Sequence, residues 1–407
     1  MRRLEVRFSL DPEQEIPVGI LAERQRRVYF QYDAAWLARR IELSPFTLPA
    51  RPGLIAHTDR AFGPLPGLFD DSLPDGWGLL LMDRHLRQVG VEPATVSALD
   101  RLAYLGTRTM GALTYHPPTE KDDLTPALLE LHDLARHALD VHAGQAAEVL
   151  PRLLKAGGSP GGARPKVLVG FNPEKGMIVS GEGDLPDGFE HWLVKFAAKT
   201  DEGDSGPVEH AYSLMARAAG LDMPETRLFE TSEGDRFFGV KRFDRAAGNR
   251  RLHLHSFGNL IHADFRVPGC DYADLLKATG ILTRNHQDVL RVFRLMAFNV
   301  LAHNRDDHAK NFSYLLDLAA ETGWALGPAY DLTFADGPGG EHSTTVAGEG
   351  KEPTEEHMLR LAEPAGIRAR TARAIIGEVR RAVSGWPELA DQARVPAAAR
   401  DRIAARL

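Results

Sequence analysis

The most informative stretch of this sequence is NRDDHAKN at residues 304–311, followed twenty positions later by a further aspartate, Asp331. Within the stretch, Asp306 stands five positions before Asn311. Sites that transfer phosphoryl groups use an Asp to orient the attacking hydroxyl, and an Asn and a second Asp to hold Mg²⁺ on nucleotide phosphates. Protein kinases have the same Asp-to-Asn spacing. The stretch therefore predicts a phosphoryl-transfer site with Asp306 as the catalytic residue and Asn311 and Asp331 as metal ligands.

A glycine-rich segment, GGSPGGARPK at residues 157–166, precedes this stretch. Glycines such as Gly161 and Gly162 allow backbone N–H groups to approach a phosphate closely and form an anion-binding concavity, and Lys166 adds a cation. The segment is neither a Walker A motif nor G-x-G-x-x-G, so an ordinary surface turn is the alternative interpretation. Ser159 could be an exposed loop serine or a hydroxyl that is itself phosphorylated.

Lys195 lies in an apolar strand pattern, HWLVKF at residues 191–196. A lysine is costly there unless its ammonium group reaches solvent or a partner. In a kinase-like lobe, such a lysine offsets the charge of the nucleotide phosphates while a Glu on the next helix holds it. Glu209, on the helix that follows, is the candidate, although a lysine that simply faces solvent is the alternative.

The segment VKRFDR at residues 240–245 ends a strand just before the chain becomes helical. We expect a hinge between two lobes here, with backbone groups and Phe243 against the adenine of a nucleotide. The alternative is that Arg242 and Asp244 are ordinary charges at the end of a strand.

Lys310, inside the stretch that opened this section, is expected close to the transferred phosphate. The same region also contains side chains of the types that bind metals, namely His303, Asp306, Asp307 and His308. Their spacing matches no zinc signature, so we prefer the phosphoryl-transfer interpretation.

Composition sets the class of protein. The 407 residues are 43% hydrophobic and 26% charged, which is typical of a globular protein. A net charge of −7 argues against a chain that binds nucleic acid over its whole surface. The single cysteine cannot form an internal disulfide, and neither a signal peptide nor a membrane-spanning run is apparent. We therefore expect a soluble, cytoplasmic protein.

Three parts are expected along the chain, at residues 1–118, 119–248 and 249–407. The first alternates in strand fashion near its start and ends in a strand and a Pro-Pro linker. The second has an apolar stripe that predicts a helix over residues 123–155, then the glycine-rich segment and three strand-like runs. From about residue 260 onward, the pattern is mostly helical.

Taken in this order, the motifs resemble those of the HipA family of serine/threonine kinase toxins, over nearly the full length of the chain. The residues that carry the resemblance are LPDG at 73–76, GAL at 111–113, SPGGARPK at 159–166, RFDR at 242–245, NRDDHAKNFS at 304–313 and YDL at 330–332. The RFDR element and the long match around Asp306 are the specific ones.

The resemblance implies an α+β, protein-kinase-like HipA fold. Its N-terminal α/β part consists of an extra subdomain and an N-lobe-like sheet, and its C-terminal lobe is all-helical. Members of the family use ATP and Mg²⁺. Asp306 matches their catalytic Asp, Asn311 and Asp331 match the magnesium ligands, and Lys195 matches the lysine on the ATP phosphates. The resemblance also implies that Lys241 and Phe243 fall in the adenine-side hinge. Ser159 matches a serine whose autophosphorylation inactivates family members.

The resemblance also implies a toxin. Such toxins phosphorylate aminoacyl-tRNA synthetases, the glutamyl enzyme being the known type, which halts translation and favours persistence. A HipB-like helix-turn-helix antitoxin restrains them and binds operator DNA. This sequence shows no helix-turn-helix, so we expect the antitoxin to be a separate chain, DNA to be reached only through it, and no membrane contact.

Two departures from the family pattern affect these expectations. His253 to Phe257 stand where many relatives have an acidic pair before the Phe, so no role is carried over to them. Pro160 restricts Ser159 to extended conformations, which could change how readily the loop moves and is phosphorylated. Glu209 is assigned by kinase logic alone.

Two other functions stay open at this point. A small-molecule phosphotransferase of the aminoglycoside-kinase type shares the Asp-to-Asn spacing, but it lacks the SxGGxRPK loop and leaves the first segment unexplained. A catalytically weak corepressor that binds an antitoxin needs none of Lys195, Asp306, Asn311 and Asp331.

Overall fold

The computed structural model describes residues 2–119, 125–146, 149, 151–157, 161–198, 204–318 and 323–407. Ser159 lies outside the described residues, together with Gly158 and Pro160, so the modification site remains a prediction. In the described part, no helix is both long and apolar enough to cross a membrane.

Alternating apolar residues near the start of the chain form a five-stranded sheet. Its strands are β1 (Arg2–Asp11), β2 (Gln14–Arg24), β3 (Arg27–Tyr32), β4 (Ile55–Ala56) and β5 (Leu113–His116), and its helices are α1 (Ala34–Ala38), α2 (Gly67–Asp70), α3 (Gly76–Gln88) and α4 (Ala98–Leu105). Each strand is antiparallel to its neighbours, in the order β4-β3-β2-β1-β5. The inward-facing Val6, Phe8 and Leu21 are fully buried, because side chains alternate between the two faces of a strand.

A second antiparallel sheet follows, with the strand order β7-β6-β8-β10-β9. The elements of this part are α5 (Leu131–His142), α6 (Pro151–Gly157), β6 (Lys166–Asn172), β7 (Met177–Ser180), β8 (Glu190–Lys195), α7 (Ser205–Ala218), β9 (Thr226–Glu230) and β10 (Arg236–Lys241). The helix predicted over 123–155 is instead two helices, α5 and α6, in the described residues. Gly144 follows α5 with a φ of 76°, a left-handed conformation that ends a helix.

The C-terminal part is mostly helical but not entirely so. It comprises β11 (Arg245–Ala246), β12 (Arg250–Arg251), β13 (His253–Ser256), α8 (Phe257–Ile261), β14 (Cys270–Asp271), α9 (Tyr272–Thr283), α10 (His286–Leu301), β15 (Ser313–Leu316), β16 (Ala325–Leu326), β17 (Thr344–Thr345), α11 (Glu355–Ala362), α12 (Ala369–Ser384), α13 (Trp386–Gln392) and α14 (Ala397–Ala404). The C-terminal lobe, which was expected to be all-helical, therefore also contains short strands. They occur because β15 and β17, which both follow residues 304–311, pair with β13 and β14 and so gain backbone hydrogen bonds.

Helix α7 belongs to the second part by sequence but packs into the core of the third. Tyr212 stacks edge-on against Phe298 of α10, and its hydroxyl donates to the carbonyl oxygen of Ala302 at 2.7 Å. Both Tyr212 and Met215 are completely buried among C-terminal side chains. This packing fixes the polar face of α7 relative to the loops of the C-terminal part.

A buried ionic network joins the first sheet to the second. The guanidinium of Arg242 donates to both oxygens of Asp244, at 2.9 and 2.7 Å. Arg245 donates to Asp244 at 2.8 Å and also to the carbonyl oxygens of Thr109 and Gly111, each at 2.9 Å. The N–H of Gly111 completes the set with a 2.7 Å bond to Asp244. The interpretation of Arg242 and Asp244 as ordinary strand-end charges was therefore wrong, because both are buried and bridge two parts of the chain.

Candidate active site

A cleft of about 220 Å³ lies between the second sheet and the loops of the C-terminal part. The sequence-predicted residues that line it are Gly161, Gly162, Lys166, Lys195, Glu209, Lys241, Phe243, Lys310, Asn311 and Asp331. Four residues of the first part, Asp71, Leu73, Asp75 and Met110, also line it. Side chains that are far apart in sequence therefore meet in one cleft, to which all three parts contribute.

Lys195 occupies the floor of the cleft, at the end of β8. Its ammonium group is held between the carboxylate of Glu209 on α7 and that of Asp331, the latter at 2.5 Å. Side-chain exposure is 10% for Lys195 and 3% for Glu209, whereas that of Asp331 is 36%. The pair that kinase logic predicted is thus present, and the same lysine also contacts Asp331.

Charge within this cluster is set by burial and by mutual attraction. Burial alone lowers the pKa of Lys195, but the carboxylates of Asp331 and Glu209 outweigh it and raise that pKa above its usual value. Burial raises the pKa of Asp331, yet the cations of Lys195 and Lys166 outweigh it and hold the pKa well below its ordinary range. Burial raises the pKa of Glu209. Lys195 and Asp331 are therefore both charged at neutral pH.

Asp306 and Asn311 flank a short turn, of which Asn311 lines the cleft whereas Asp306 is not among the residues that line it. The side-chain amide nitrogen of Asn311 donates a hydrogen bond to the backbone carbonyl oxygen of Asp306 at 2.7 Å. The side-chain amide oxygen of Asn311 takes no part in this bond. Asp306 itself is exposed. Partial burial of its carboxyl raises the pKa of Asp306, and the nearby Asp331 carboxylate raises it further. A carboxylate with a raised pKa is a better proton acceptor.

Asp307 supports the loop from inside. Its carboxylate is buried and accepts hydrogen bonds from the Tyr272 hydroxyl at 2.8 Å, from His342 Nδ1 at 2.9 Å and from the backbone N–H of Ser343 at 2.9 Å. His303 instead contacts Asp336 at 3.1 Å. In the described part of the chain, His303, Asp306, Asp307 and His308 do not converge on one point, so the metal-site alternative for these four residues was wrong.

Lys310 faces acidic residues of the first part of the chain. Its ammonium group lies 3.4 Å from the carboxylate of Asp70 and 3.6 Å from that of Asp75, and it lies 4.8 Å from the ring centre of Phe265. Burial alone lowers the pKa of Lys310, but the attraction of the surrounding aspartates outweighs burial and raises this pKa above its usual value. The sequence did not predict these partners, because they lie 240 and 235 positions earlier in the chain.

The described half of the glycine-rich segment closes one wall of the cleft. Lys166 is 5% exposed, and its ammonium group donates to the carbonyl oxygen of Gly161 at 2.7 Å. Burial lowers the pKa of Lys166, and the nearby Lys195 cation lowers it further. Gly161 and Gly162 pack against Asp75, although Gly161 is exposed, so the surface-turn alternative stays open for these two residues.

The predicted hinge residues lie along another edge of the cleft. Lys241, at the end of β10, pairs with Glu190 at 2.6 Å, so its ammonium group has a protein partner. The ring of Phe243 lies 5.4 Å from that of Tyr330, centre to centre, with an interplanar angle of 36°. Phe243 thus offers an aromatic surface to the cleft.

Asp71 is a residue of the cleft that the sequence did not identify. Its carboxylate accepts hydrogen bonds from His255 Nδ1 at 2.5 Å, from the Ser256 hydroxyl at 2.6 Å and from the side chain of Asn259 at 2.8 Å. His255 and Ser256 lie in the segment that departs from the family pattern. The adjacent Asp70-Asp71 pair was the available signal, since two neighbouring acids before a helix start require partners if they are buried.

Comparison with known proteins addresses the family. The model of the HipA-like C-terminal domain matches residues 158–386, and the model of the HipA N-terminal domain matches residues 13–116. Toxin YjjJ of Escherichia coli (strain K12) is 28% identical over 182 residues, which are 43% of this chain and 38% of YjjJ. The chain thus spans well under two thirds of that relative. Y4mE of Sinorhizobium fredii (strain NBRC 101917 / NGR234), whose name describes a candidate kinase, is 28% identical over 338 residues, or 76% of this chain and 73% of Y4mE.

Solved structures address the fold. A chain in the complex of HipA, HipB and operator DNA from the toxin–antitoxin system of Shewanella oneidensis MR-1 aligns with a TM-score of 0.70 and 16% identity, covering 96% of this chain and 90% of that chain. The predicted fold class, a kinase-like HipA fold of mixed α and β structure, is confirmed. The C-terminal domain model alone matches more than half of the sequence, and the residues that line the cleft come from both matched regions. The chain belongs to the HipA family.

Proposed function

We propose that this chain is an ATP- and Mg²⁺-dependent serine/threonine protein kinase that acts as a toxin. The observation that best supports the proposal is the buried cluster in which Lys195 contacts both Glu209 and Asp331. The Lys–Glu pair is the arrangement that positions a lysine on nucleotide phosphates in kinases. A chain that only bound an antitoxin would gain nothing from burying Lys195 and Glu209 beside Asp331, because desolvation makes buried charges costly.

The donor set of the cleft fits a nucleotide with a magnesium ion. Asn311 and Asp331 supply the amide and carboxylate oxygens that Mg²⁺ prefers. Lys195 and Lys166 supply positive charge for phosphates, while Phe243 provides an apolar face for an adenine ring. Mg²⁺, when bound, neutralises charge on the phosphate oxygens.

We propose that Asp306 is the group that accepts the proton. In the proposed reaction, the oxygen of a serine or threonine hydroxyl forms a bond to the γ-phosphorus. The bond between that phosphorus and the bridging oxygen of ADP breaks, ADP leaves, and the hydroxyl proton passes to the Asp306 carboxylate. Because Asn311 is bonded to the backbone of Asp306, the base and the proposed metal ligand are held in a fixed relation. Lys310 is proposed to lie beside the transferred group.

Lys195→Met provides a direct test of the nucleotide site. We expect the Kd for ATP to rise about ten- to a hundredfold, which corresponds to the ~1.5–3 kcal/mol that a hydrogen bond to a charged group contributes. Isothermal titration calorimetry with ATP and Mg²⁺ measures this change. Lys175→Met, at an exposed turn after β6, is the matched control and should bind ATP as the wild type does. Equal ATP affinity of the two variants would show that Lys195 does not contribute to nucleotide binding.

The partners and substrate are proposed from family membership. We infer a separate HipB-like antitoxin, in line with the HipA and HipB complex named for the Shewanella structure, and an aminoacyl-tRNA synthetase of the glutamyl type as the substrate. Autophosphorylation of Ser159 is part of the same proposal. The match of residues 13–116 to a HipA N-terminal domain accounts for the segment that an aminoglycoside-type phosphotransferase leaves unexplained.

Expression in a bacterial host separates the toxin from a corepressor. We expect growth arrest by the wild-type chain, relief of that arrest by Asp306→Ala, and relief by co-expression of a helix-turn-helix protein encoded in the same genome. Arrest that persists with Asp306→Ala, at an equal protein level on an immunoblot, would instead indicate an effect of binding alone.

A further inference from the structure

The start of helix α3, in the first part of the chain, is hydrogen-bonded to the glycine-rich segment. The side chain of Asp75 accepts a hydrogen bond from the backbone N–H of Gly162. The backbone N–H of Trp77 donates to the carbonyl oxygen of Gly162 at 2.9 Å, and its indole N–H donates to the carbonyl oxygen of Lys166 at 2.9 Å. Three hydrogen bonds of two residues of the first part, Asp75 and Trp77, therefore connect it to a segment 85 to 89 positions away.

The two backbones approach each other too closely for any residue but glycine. A Cβ atom added to Gly76 would lie 2.6 Å from the carbonyl oxygen of Gly162, and the φ of Gly76 is 41°. A Cβ atom on Gly161 would lie 3.0 Å from a carboxylate oxygen of Asp75. Both segments therefore have a glycine at the contact, as is usual where one backbone approaches another closely.

Burial and charge make this contact a strong one. Trp77 is 1% exposed, and the side chain of Asp75 is 13% exposed. A hydrogen bond from a backbone N–H to a carboxylate is shorter and stronger than one between neutral groups. The second oxygen of Asp75 lies 3.6 Å from the ammonium group of Lys310. One carboxylate therefore contacts both the glycine-rich segment and the segment that contains Asp306 and Asn311.

We infer that Asp75 is a positioning residue, which holds the glycine-rich segment against the nucleotide cleft and thereby couples the first part of the chain to nucleotide binding. The position of the segment follows from the contacts alone, whereas the coupling to nucleotide rests on the proposed kinase function. A protein that binds the first part and shifts α3 would change the affinity of the chain for nucleotide. Because linkage is reciprocal, nucleotide would change the affinity for that protein by the same factor.

Hydrogen–deuterium exchange of the full chain without nucleotide tests the position of the segment. For Asp75→Ala we expect exchange in the peptide that contains Gly162 to become about tenfold faster, because the N–H loses its charged acceptor. Asp75→Asn keeps an oxygen that can accept this bond, so its exchange should stay within about threefold of the wild type. Gln88→Ala, at the exposed end of the same helix, should leave the exchange unchanged.

Calorimetry with ATP and Mg²⁺ on the same proteins tests the coupling. We expect the Kd to rise about tenfold in Asp75→Ala and to be largely restored in Asp75→Asn. If Asp75→Ala does not fold, as judged by circular dichroism, Trp77→Phe replaces it, since this variant keeps an aromatic ring and removes the bond to Lys166.

Two results would overturn the inference. Unchanged exchange of the Gly162 peptide in Asp75→Ala, or in Trp77→Phe where that variant replaces it, would show that α3 does not position the segment. Equal ATP binding by the variant would show that Asp75 is not coupled to the nucleotide site, and tighter binding would show that the carboxylate competes with phosphate. If the wild type binds no ATP, the proposed function fails, and the exchange experiment alone decides whether Asp75 positions the segment.

Discussion

Asp306→Ala is expected to lower kcat for protein phosphorylation by about 10³-fold while leaving the Kd for ATP unchanged, since general-base catalysis by a positioned side chain contributes about 10²–10⁴-fold. Asp306 is exposed, so removal of its side chain leaves no buried group without a partner. The lysine cluster that would hold the nucleotide does not include Asp306. The defect should therefore appear in the chemical step, measured as single-turnover transfer from labelled ATP.

Asp336→Ala is the matched control for this experiment. Asp336 is an acidic residue from the neighbouring loop, and its side chain is 61% exposed. It pairs with Arg406 and His303 and lies outside the cleft lining. We expect near wild-type transfer in this variant. An Asp306→Ala protein that keeps more than about a tenth of the wild-type rate would be incompatible with a catalytic role for this carboxylate.

Asp244→Ala is expected to cause the largest loss of stability. Asp244 lies between the guanidinium groups of Arg242 and Arg245, and the three side chains are between 2% and 5% exposed. Removing the carboxylate leaves two buried cations uncompensated, which typically costs about 3–5 kcal/mol. The free energy of unfolding, from urea denaturation followed by tryptophan fluorescence, should fall by this amount. Arg380→Ala breaks an exposed pair with Glu355 and should cost less than about 1 kcal/mol.

The same network has a defined pH dependence. Burial alone raises the pKa of Asp244, but Arg242 and Arg245 outweigh it and hold that pKa far below its ordinary value. A carboxyl group whose folded-state pKa is depressed adds stability above its unfolded pKa, and that stability is lost as pH falls. The difference between wild type and Asp244→Ala should therefore be constant near pH 7 and shrink below about pH 4. A difference that grew on acidification would contradict this assignment.

Local patterns in the sequence predicted most of the elements and the order of the site residues. The alternating residues of β1 to β3 and the apolar strand that ends at Lys195 were readable, because burial on one face imposes a fixed period. Glu209 was placed opposite Lys195 by the logic of kinase sites, and the structure brings the two together. The helix expected over 123–155 was too long, since the stripe of leucines outweighed the signal of Gly144.

Contacts between distant segments could not be read from the sequence. Asp75 and Trp77 were predicted only to form a turn and the start of a helix. Their hydrogen-bond partners Gly162 and Lys166 lie 87 and 89 positions later in the chain, so no local pattern could reveal them. Asp307 was named only in the metal-site alternative, yet its carboxylate is buried and accepts three hydrogen bonds, whereas the neighbouring Asp306 is exposed. Neighbouring identical residues acquire different roles only when tertiary packing decides which one faces inward.

Incubation of the purified chain with γ-labelled ATP and Mg²⁺, beside Asp306→Ala and Ser159→Ala, tests the central claim most directly. The proposed kinase predicts label on the wild-type chain, none on Asp306→Ala, and none on Ser159→Ala if that serine is the acceptor. Label on Ser159→Ala alone among the variants would keep the kinase and move the acceptor elsewhere. Equal label on Asp306→Ala, or no label on the wild type even with glutamyl-tRNA synthetase added, would contradict the proposal that this cleft transfers phosphate to protein.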